Sequence, residues 1–393
     1  MLTRAGLLVG ATAAGLLVGG RVFGLVELYI CGAAAGILLA ICFGWVVLSR
    51  LDLGAGRKIT PLRVHAGTPA RSTIRIRNLR ASRTPVLRLL DPVTGTSGAD
   101  LLVNPLRGGE SATIAYRLPS DRRGVVEVGP LDVVVTDPFG LTSVRTRAAG
   151  TASLTVFPRV DQIEPPRQAA GPDPTSGAAH PSALGRSGDE FHALRPYVIG
   201  DDLRRVHWAS TARTGDLVVR QDELPWQGRT TVLLDQRHGS FVPQVFEQAV
   251  SAAASIINAA WRRGDLVRLV ATDGSETDLG SGHAHLESIF ERLSLVSRSN
   301  RSDPATTART IGRSGSNGAL VVVSGALRGS EQLGVKRAAV GFGRLTFVMF
   351  GTSGTPSALP GASMLSIPTG TSFRSVWQGS HASSRSRARV GTR

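Results

Sequence analysis

Two long apolar runs occupy the first fifty residues, and they limit what this part of the chain can fold into more than any other feature. Residues 5–20 are uniformly apolar or small, and residues 22–48 are apolar apart from Glu27. A helix that spans a bilayer needs about 20 residues at a rise of about 1.5 Å each. Arg21 separates the two runs, so residues 1–50 are predicted to form a hairpin of two transmembrane helices, at about 5–20 and 22–48.

A cleaved signal peptide is the alternative for this segment, with Arg4 as its basic start and residues 5–18 as its apolar core. The sequence Gly19-Gly20-Arg21 makes a poor cleavage site, which favours the hairpin. Arg4 lies at one end of the hairpin, and Arg50, Arg57 and Lys58 lie just past the other end. Because loops rich in Lys and Arg stay on the cytoplasmic side, we expect a cell-membrane protein whose soluble domains face the cytoplasm.

The net charge does not point to a nucleic-acid partner. The formal charge is +16, but only Lys58 and Lys336 are lysines, and an excess of arginine with Ala and Gly is typical of a high-GC genome. Binding of nucleic acid would call for clusters of arginine interleaved with aromatic stacking platforms. Aromatic residues make up 5% of the chain and the arginines are scattered, so we expect no nucleic-acid partner.

The cysteines exclude some chemistry in the soluble part. Cys31 and Cys42 are the only two, and both lie in the second apolar run. We interpret them as small apolar residues that face lipid or the other helix. After residue 42, a thiol nucleophile and a cysteine-ligated zinc site are therefore excluded.

Residues 58–158 have the pattern of short strands separated by Gly, Pro or Asp. Several of these segments alternate and most are rich in β-branched residues: 72–77, 112–118, 125–128, 131–135 and 154–157. This spacing predicts an antiparallel β-sandwich. Between the fourth and fifth of these segments, Asp137-Pro-Phe-Gly140 is interpreted as a turn, with no chemistry assigned to it.

Residues 229–379 alternate between strand and helix patterns. We predict strands at 230–235, 266–272, 319–324 and 345–350, and helices at 243–263, 283–295 and 331–339. Strands that are apolar throughout belong to a parallel, doubly wound sheet, which binds ligands at the carboxyl ends of its strands. Those ends lie near Asp235, Asp273 and Ser324-Gly325. The predicted fold class is α/β plus all-β.

Two segments are predicted to lack regular structure. Residues 161–187 are rich in Pro, Gly, Ser and Ala and are interpreted as a linker. Residues 380–393 contain four arginines and no acid, and they are predicted to form a disordered basic tail.

Acidic, basic and aromatic residues alternate at short range in residues 188–228, unlike the rest of the chain. Such charges can be accommodated when carboxylates and guanidinium groups pair. We expect one polar network, with Phe191, Tyr197 and Trp208 packed against it. Its charged members are Asp201, Asp202, Arg204, Arg205, Arg213 and Arg220.

The order and spacing in this stretch resemble the core motif of domain-of-unknown-function family fifty-eight (DUF58). That motif combines Gly-x-x-Phe, Arg-x-Tyr, Gly-Asp-Asp-x-Arg-x-x-x-Trp and Ser-x-x-Arg. The matching positions are Gly188, Phe191, Arg195, Tyr197, Gly200, Asp201, Asp202, Arg204, Trp208, Ser210 and Arg213. We interpret them, with Arg220, as a structural motif or partner-docking surface that joins the sandwich to the α/β domain.

The resemblance implies a von Willebrand factor A-like domain in the second half. That fold often holds Mg²⁺ through an Asp-x-Ser-x-Ser loop after its first strand, where hard oxygen ligands suit a hard cation. Here the loop reads Asp235-Gln-Arg-His-Gly-Ser240. Arg237 and Gly239 stand where the two serines belong, and Arg237 would bring a positive charge to the cation. We expect a degenerate site at Asp235 and Ser240, with no metal and no cofactor.

The resemblance also implies a partner. Proteins of this family are commonly encoded beside a MoxR-type AAA+ ATPase, often with a transglutaminase-like membrane protein. The hypothesis is a non-enzymatic, membrane-anchored adaptor or scaffold for that ATPase, in the maturation of envelope proteins or in stress response. The alternative is a metal-dependent or hydrolytic module centred on Asp201, Asp202, His207 and Asp235, in which His192 and Ser210 could also take part. No Gly-x-Ser-x-Gly elbow or phosphate-binding loop supports this alternative.

Overall fold

The computed structural model describes residues 1–49, 51–168, 191–197, 206–222, 228–299, 303–313, 318–351 and 359–390, with only the backbone at 191–195, 220–222, 313 and 383–390. The chain divides into two compact units. The first is Met1–Arg159 with Glu291–Leu295, and the second is Val160–Phe290 with Val296–Arg393. The predicted sites at Gly188, Gly200 to Arg205 and most of the linker lie outside the described residues.

The first unit begins with the two predicted apolar helices, α1 (Arg4–Phe23) and α2 (Val26–Leu48). The side chain of Thr3 caps the start of α1, and Gly24 ends it in the left-handed conformation. Arg21 is accommodated in the last turn, so α1 runs past the predicted end at residue 20. Both helices are long and apolar enough to cross a membrane, which is compatible with membrane anchoring.

Small residues allow the two helices to pack closely. Ala13 and Gly20 lie seven residues apart on α1 and are buried. A Cβ atom at Gly20 would come within 2.8 Å of the backbone nitrogen of Tyr29, and one at Gly32 within 3.0 Å of the carbonyl oxygen of Ala13. Close backbone approach through small residues is typical of helices that pack within a membrane.

Ten strands follow α2 in the described part of this unit. They are β1 (Leu53–Thr60), β2 (Arg63–His65), β3 (Ala70–Asn78), β4 (Leu87–Asp91), β5 (Ala99–Val103), β6 (Ser111–Leu118), β7 (Gly124–Val128), β8 (Leu131–Thr136), β9 (Ser143–Ala149) and β10 (Ala152–Phe157). Among the described residues they form sheets of order β1-β3-β6, β2-β10-β7 and β5-β4-β8-β9. The pairing is antiparallel as predicted, except that β2 and β10 are parallel.

Inward-facing apolar side chains hold these sheets together. Alternate residues of β3 are buried, as expected for a strand with one face on the core. Ile74 and Ile76 of β3 pack with Leu89 of β4 and Val133 of β8 in one cluster. A second cluster joins β1, β2, β3, β6, β7 and β10.

The second unit contains the remaining described elements. Its strands are β11 (Phe191–Pro196), β12 (Val218–Asp222), β13 (Arg229–Leu234), β14 (Leu266–Ala271), β15 (Ala319–Ser324), β16 (Arg344–Phe350) and β17 (Ala362–Ile367). Its helices are α3 (Trp208–Thr214), α4 (Pro243–Arg263), α5 (His283–Leu295), α6 (Pro304–Arg313), α7 (Gly329–Ala338) and α8 (Phe373–Val390). The last five residues of α5 belong to the first unit.

Five of these strands form a parallel sheet within the described residues, in the order β14-β13-β15-β16-β17. In chain order this is 2-1-3-4-5, a doubly wound arrangement. The central strands are apolar and buried on both faces, as their sequences predict. Two isolated antiparallel bridges, Val267 with Gly280 and Val270 with Glu276, lie beside β14. The protein is therefore of mixed α/β type, with two N-terminal apolar helices and several sheets.

The C-terminus differs from the prediction of a disordered tail from residue 380. Helix α8 continues to Val390. Gly379 is the last helix-breaking residue before residue 391, and the Ala, Ser and Arg residues between them all permit a helix. Tertiary contacts hold the first part of the helix: the indole N–H of Trp377 donates to the carbonyl oxygen of Glu164 at 2.8 Å.

Candidate functional site

The candidate site lies where the strand order of the parallel sheet reverses. Ligands in such sheets bind outside the carboxyl ends of the strands at this switch point. Here β13 and β15 are adjacent and parallel, and Asp235 directly follows the end of β13 while Ser324 ends β15. The side chain of Asp235 is fully buried, and its Oδ2 accepts a hydrogen bond from the hydroxyl of Ser324 at 2.6 Å.

Arg237 folds back onto the buried carboxylate of Asp235. Its Nε lies 3.0 Å from Oδ1 and 3.2 Å from Oδ2, and its Nη2 lies 2.9 Å from Oδ2. Its backbone N–H also donates to Oδ1 at 3.0 Å. The hydroxyl of Ser240 adds a further hydrogen bond to Oδ2 at 2.9 Å. The negative charge of Asp235 is thus paired and hydrogen-bonded within one short loop, which is what burial of a carboxylate requires.

Glu331 in the first turn of α7 holds the other side of the same guanidinium group. Nη1 of Arg237 lies 2.6 Å from Oε1 of Glu331, while Oε2 of Glu331 accepts from the backbone N–H of Arg328 at 2.8 Å. Burial alone lowers the pKa of the Arg237 guanidinium, but its hydrogen bonds to Asp235 and Glu331 outweigh burial and raise that pKa above its ordinary value. Arg237 is therefore a permanent cation between two carboxylates.

The loop after β13 is fixed against its neighbours. A Cβ atom at Gly325 would collide with the carbonyl oxygen of Ser240, so the loop lies directly on the backbone after β15. On the other side, the backbone N–H of Gln236 donates to the hydroxyl of Thr272 at 2.9 Å. The side-chain oxygen of Gln236 accepts from the backbone N–H of Asp273 at 3.1 Å. All three predicted strand ends are therefore linked through this loop.

The residues present do not fit a divalent cation. Asp235 is the one carboxylate that the loop itself contributes, and the guanidinium of Arg237 covers both of its oxygen atoms. Within the described part of the chain, no group of three or more His, Cys, Asp or Glu residues could hold a metal ion. The positive charge beside the carboxylate of Asp235 is that of the Arg237 guanidinium.

The motif of residues 188–228 lies before β13 and is described in part. Strands β11 and β12 pair in an antiparallel two-stranded sheet, with Arg195 opposite Val219 and Arg220 opposite Leu194. Phe191 begins β11, but the side chains of Phe191, Arg195 and Arg220 lie outside the description. The predicted network of Asp201, Asp202, Arg204 and Arg205 also lies outside the described residues. The described motif positions that remain are Tyr197, Trp208, Ser210 and Arg213.

Tyr197 and Arg213 lie at the ends of the motif's local elements. Tyr197 directly follows β11 and is half-buried, and its backbone N–H donates to the carbonyl oxygen of Leu217 at 2.8 Å. Arg213 is exposed in the last turn of α3, where a cation interacts favourably with the helix dipole.

His207 and Ser210 come together as a helix cap. Nδ1 of His207 lies 2.8 Å from the hydroxyl oxygen of Ser210 and 3.3 Å from its backbone nitrogen. Because a backbone N–H can only donate, Nδ1 is the acceptor, and the Ser210 hydroxyl can donate to the same atom. The contact satisfies an N–H at the start of α3 that has no partner inside the helix.

Trp208 does not pack as predicted. Its side chain is 66% exposed at the first position of α3, whereas the sequence analysis expected it to pack against the polar network. The helix is only two turns long and none of its residues is buried, so it gives the indole no core to enter. An exposed Trp of this size is the kind of side chain that dominates protein–protein interfaces.

Sequence reasoning found Asp235 and Arg237 but missed Glu331. Half of a capping box could be recognised, because a Glu at the third position of a helix can accept from the backbone N–H of the residue before the helix, as Glu331 does from Arg328. What the sequence could not give is that the start of α7 lies beside the loop after β13. That proximity follows from the pairing of β13 with β15.

The protein is of mixed α/β type. In its parallel sheet the carboxylate of Asp235 at the switch point is neutralised by Arg237, and the short helix α3 exposes Trp208. Residues 193–341 match the family model described as protein of unknown function DUF58. The match runs from β11 to just past α7, well under half of the chain. It confirms, for this region, the resemblance drawn from the motif.

No curated protein sequence matches the chain. Solved structures resemble parts of it weakly. A CARDB domain from Pyrococcus furiosus, in complex with di-metal ions, is 17% identical with a TM-score of 0.21, covering 27% of this chain and 91% of that chain. An alkylpurine DNA glycosylase from Pseudomonas fluorescens is 13% identical with a TM-score of 0.19, covering 33% and 39%. Because these TM-scores are low, the likenesses carry no argument about fold or function.

Proposed function

We propose that this protein is a membrane-anchored, non-enzymatic adaptor for a MoxR-type AAA+ ATPase. The observation that carries the proposal is the guanidinium of Arg237 on Asp235 at the switch point of the sheet. A site that catalyses or binds a metal there would need an accessible carboxylate. Here the carboxylate is buried and neutralised, so the surface above it is suited to contact with another protein.

The α/β unit is proposed to be von Willebrand factor A-like. Its parallel sheet, its loop beginning with Asp235 after the first strand, and the antiparallel bridges beside β14 support this assignment. The guanidinium of Arg237 then stands where such a fold would hold Mg²⁺. The ATPase itself is implied by the family resemblance of residues 193–341. A transglutaminase-like membrane protein is a second proposed partner from the same resemblance.

The soluble domains are proposed to face the cytoplasm, where such an ATPase would reach them. Arg4 is the first residue of α1, and Arg57 and Lys58 follow the end of α2. Both ends of the hairpin therefore carry positive charge, which favours the cytoplasmic side. A green fluorescent protein fused after residue 393 should fluoresce. A periplasmic alkaline phosphatase fusion at the same place should be inactive, and the reverse result would contradict the orientation.

Capture of the ATPase tests the adaptor proposal. The full-length protein in lipid nanodiscs would be incubated with lysate of its own cells, with and without ATP, and bound proteins identified by mass spectrometry. We expect nucleotide-dependent retention of a MoxR-type ATPase. Replacing Trp208 with Ala should weaken retention, because an exposed interface Trp contributes more than about 1 kcal/mol when truncated. Val340→Ala, at another exposed apolar position, is the matched control.

One result of this capture experiment would contradict the adaptor proposal. If the ATPase is detectable in the lysate and neither nucleotide state retains it, the adaptor role is wrong. If the wild type and Trp208→Ala retain the ATPase equally, the adaptor role stands, but α3 is not part of the docking surface.

A hydrolytic module is the second candidate, and the short contact between His207 and Ser210 favours it. A serine hydroxyl that donates to a histidine can act as a nucleophile. A fluorophosphonate probe should then label the wild-type protein, and Ser210→Ala should abolish labelling while Thr214→Ala retains it. Absence of labelling in all three proteins would leave the contact as a helix cap.

A further inference from the structure

The connection between β8 and β9 in the first unit is a rigid six-residue loop, Asp137–Thr142, which we call the hairpin loop. Asp137 organises it: Oδ1 accepts from the backbone N–H of Phe139 at 2.8 Å. Oδ2 accepts from the hydroxyl of Thr142 at 2.9 Å and from the backbone N–H of the same residue. The backbone N–H of Gly140 also donates to the carbonyl oxygen of Asp137 at 3.0 Å. These bonds fix the direction in which the loop points.

The hairpin loop is bound to the start of α1. The hydroxyl of Thr3, which caps that helix, lies 2.6 Å from the carbonyl oxygen of Gly140 and 3.0 Å from that of Leu141. The backbone N–H of Thr3 donates to the carbonyl oxygen of Leu141 at 2.9 Å. A Cβ atom at Gly6 would collide with the same carbonyl oxygen. The loop therefore lies directly against the first turn of α1.

The hairpin loop is also bound to the second apolar helix. The hydroxyl oxygen of Thr142 also lies 3.0 Å from the backbone carbonyl oxygen of Cys42 in α2, so its single proton is shared between this carbonyl and Asp137. A helical carbonyl that already serves its own helix can accept this second hydrogen bond. With contacts to both helices, the loop has a defined depth relative to the hairpin.

That depth coincides with the edge of the hydrocarbon region. Helix α1 has 20 residues, which at about 1.5 Å each span about 30 Å, the thickness of a bilayer core. Thr3 therefore lies at one boundary of the apolar layer. Phe139 immediately precedes Gly140, and chain geometry keeps its Cα within about 9 Å of the Thr3 hydroxyl.

Phe139 itself is exposed while its neighbour is buried. Its side chain is 66% exposed, whereas Leu141 is packed inside. Nearby on α1, the side chains of Leu7 and Leu8 are also exposed, as expected for residues that face lipid. Exposed apolar side chains therefore lie both on the hairpin loop and at the start of α1, to which the loop is bound.

We infer that the hairpin loop is a lipid-contact site, in which Phe139 enters the boundary between headgroups and acyl chains of the leaflet beside Thr3. Apolar and aromatic side chains are favoured at this boundary. The hairpin loop is bound to the start of α1, where the exposed Leu7 and Leu8 are apolar, and this selects lipid as the occupant. This contact holds the β-sheet unit at a fixed position on the membrane surface. The two helices and their short connection to β1 would not fix that position by themselves.

Photo-crosslinking tests this inference in the full-length chain in lipid nanodiscs. p-Benzoylphenylalanine would replace Phe139, and separately Leu102 and Ile41, each of which is largely exposed. Leu102 lies on β5, at the edge of its sheet opposite β9, about 14 Å away at a strand spacing of about 4.8 Å. Ile41 lies on α2 and serves as the positive control. Adducts would be identified by mass spectrometry after irradiation.

We expect lipid adducts at positions 139 and 41 and none above background at position 102. Lipid adducts at 41 without adducts at 139 would overturn the inference, as would a protein adduct at 139. Adducts at none of the positions would show that the hairpin is not in the bilayer and would overturn it as well. Replacing Thr3 with Val should reduce the adduct at 139 and leave that at 41 unchanged, because it removes the hydroxyl that binds the loop.

Discussion

Replacing Arg237 with Ala should destabilise the α/β unit by about 3 kcal/mol. Removing one member of a buried ion pair costs about 3–5 kcal/mol, because the remaining charge is left uncompensated. The side chain of Asp235 is fully buried and that of Arg237 is 19% exposed, so the cost of breaking a buried ion pair applies here. Three donors to Asp235 would remain, namely the hydroxyls of Ser240 and Ser324 and the backbone N–H of residue 237. We therefore expect the loss of stability to lie at the lower end of that range.

Hydrogen exchange measured by mass spectrometry is the suitable assay, because a chain of two units need not unfold in one step. The amides of β13 and β15 should exchange roughly a hundredfold faster in the variant, since about 1.4 kcal/mol corresponds to a factor of ten. Arg88→Ala is the matched control. Arg88 also makes a two-point contact with a carboxylate, that of Asp100, but about half of each side chain is exposed. Loss of this exposed ion pair should lower the free energy of unfolding by about 1 kcal/mol or less.

Magnesium provides a second readout of the same variant. Without the guanidinium, Asp235, Ser240 and Ser324 would present hard oxygen atoms toward one another, which suits Mg²⁺. Millimolar Mg²⁺ should therefore slow exchange in Arg237→Ala by mass action and leave the wild type unchanged. If Arg237→Ala exchanges like the wild type in the absence of metal, the reasoning that the guanidinium neutralises a buried charge is refuted.

Three further predictions concern single residues. Arg57 pairs with the buried Asp91 in the first unit, and Arg57→Ala should cost about 3–5 kcal/mol; unchanged exchange in β1 and β4 would contradict this. Gly325→Ala would force a methyl group against the carbonyl oxygen of Ser240 and should speed exchange in β15, whereas normal exchange would show that the loop can move aside. Burial raises the pKa of Asp137, but hydrogen bonds to its carboxylate outweigh burial and hold that pKa below its ordinary value. Its ionised form therefore stabilises the fold above about pH 4, and this contribution is lost as the pH falls further. Asp137→Asn should accordingly be less stable than the wild type at pH 7, with a difference that narrows in acid.

The sequence predicted the elements whose patterns are local. Two apolar runs of bilayer length became α1 and α2, and apolar strands between helical segments became a parallel sheet. A run such as Ala319–Ser324 is buried on both faces in any doubly wound sheet, so its composition suffices. The motif around Trp208 was recognised by spacing alone, and the match at residues 193–341 confirms that resemblance.

Prediction failed where an outcome depended on neighbours distant in sequence. The exposure of Trp208 depends on whether α3 meets a core, and no pattern within its seven residues decides that. The helical state of residues 380–390 depends on the preceding turns being held by contacts such as that of Trp377 with Glu164, because an isolated helix of that length is marginal. Composition alone favoured disorder there.

By itself, the sequence determined that this protein has two helices of membrane-spanning length, a strand-rich unit and a parallel α/β unit with an arginine in the loop after its first strand. Only the tertiary structure decided that this arginine lies between Asp235 and Glu331, and that the loop of Phe139 lies against Thr3. Arg237 and Glu331 are 94 residues apart in the chain, and Thr3 and Gly140 are 137 residues apart. Periodicity specifies which face of an element is buried, but strand pairing and helix packing decide which distant side chains meet across it.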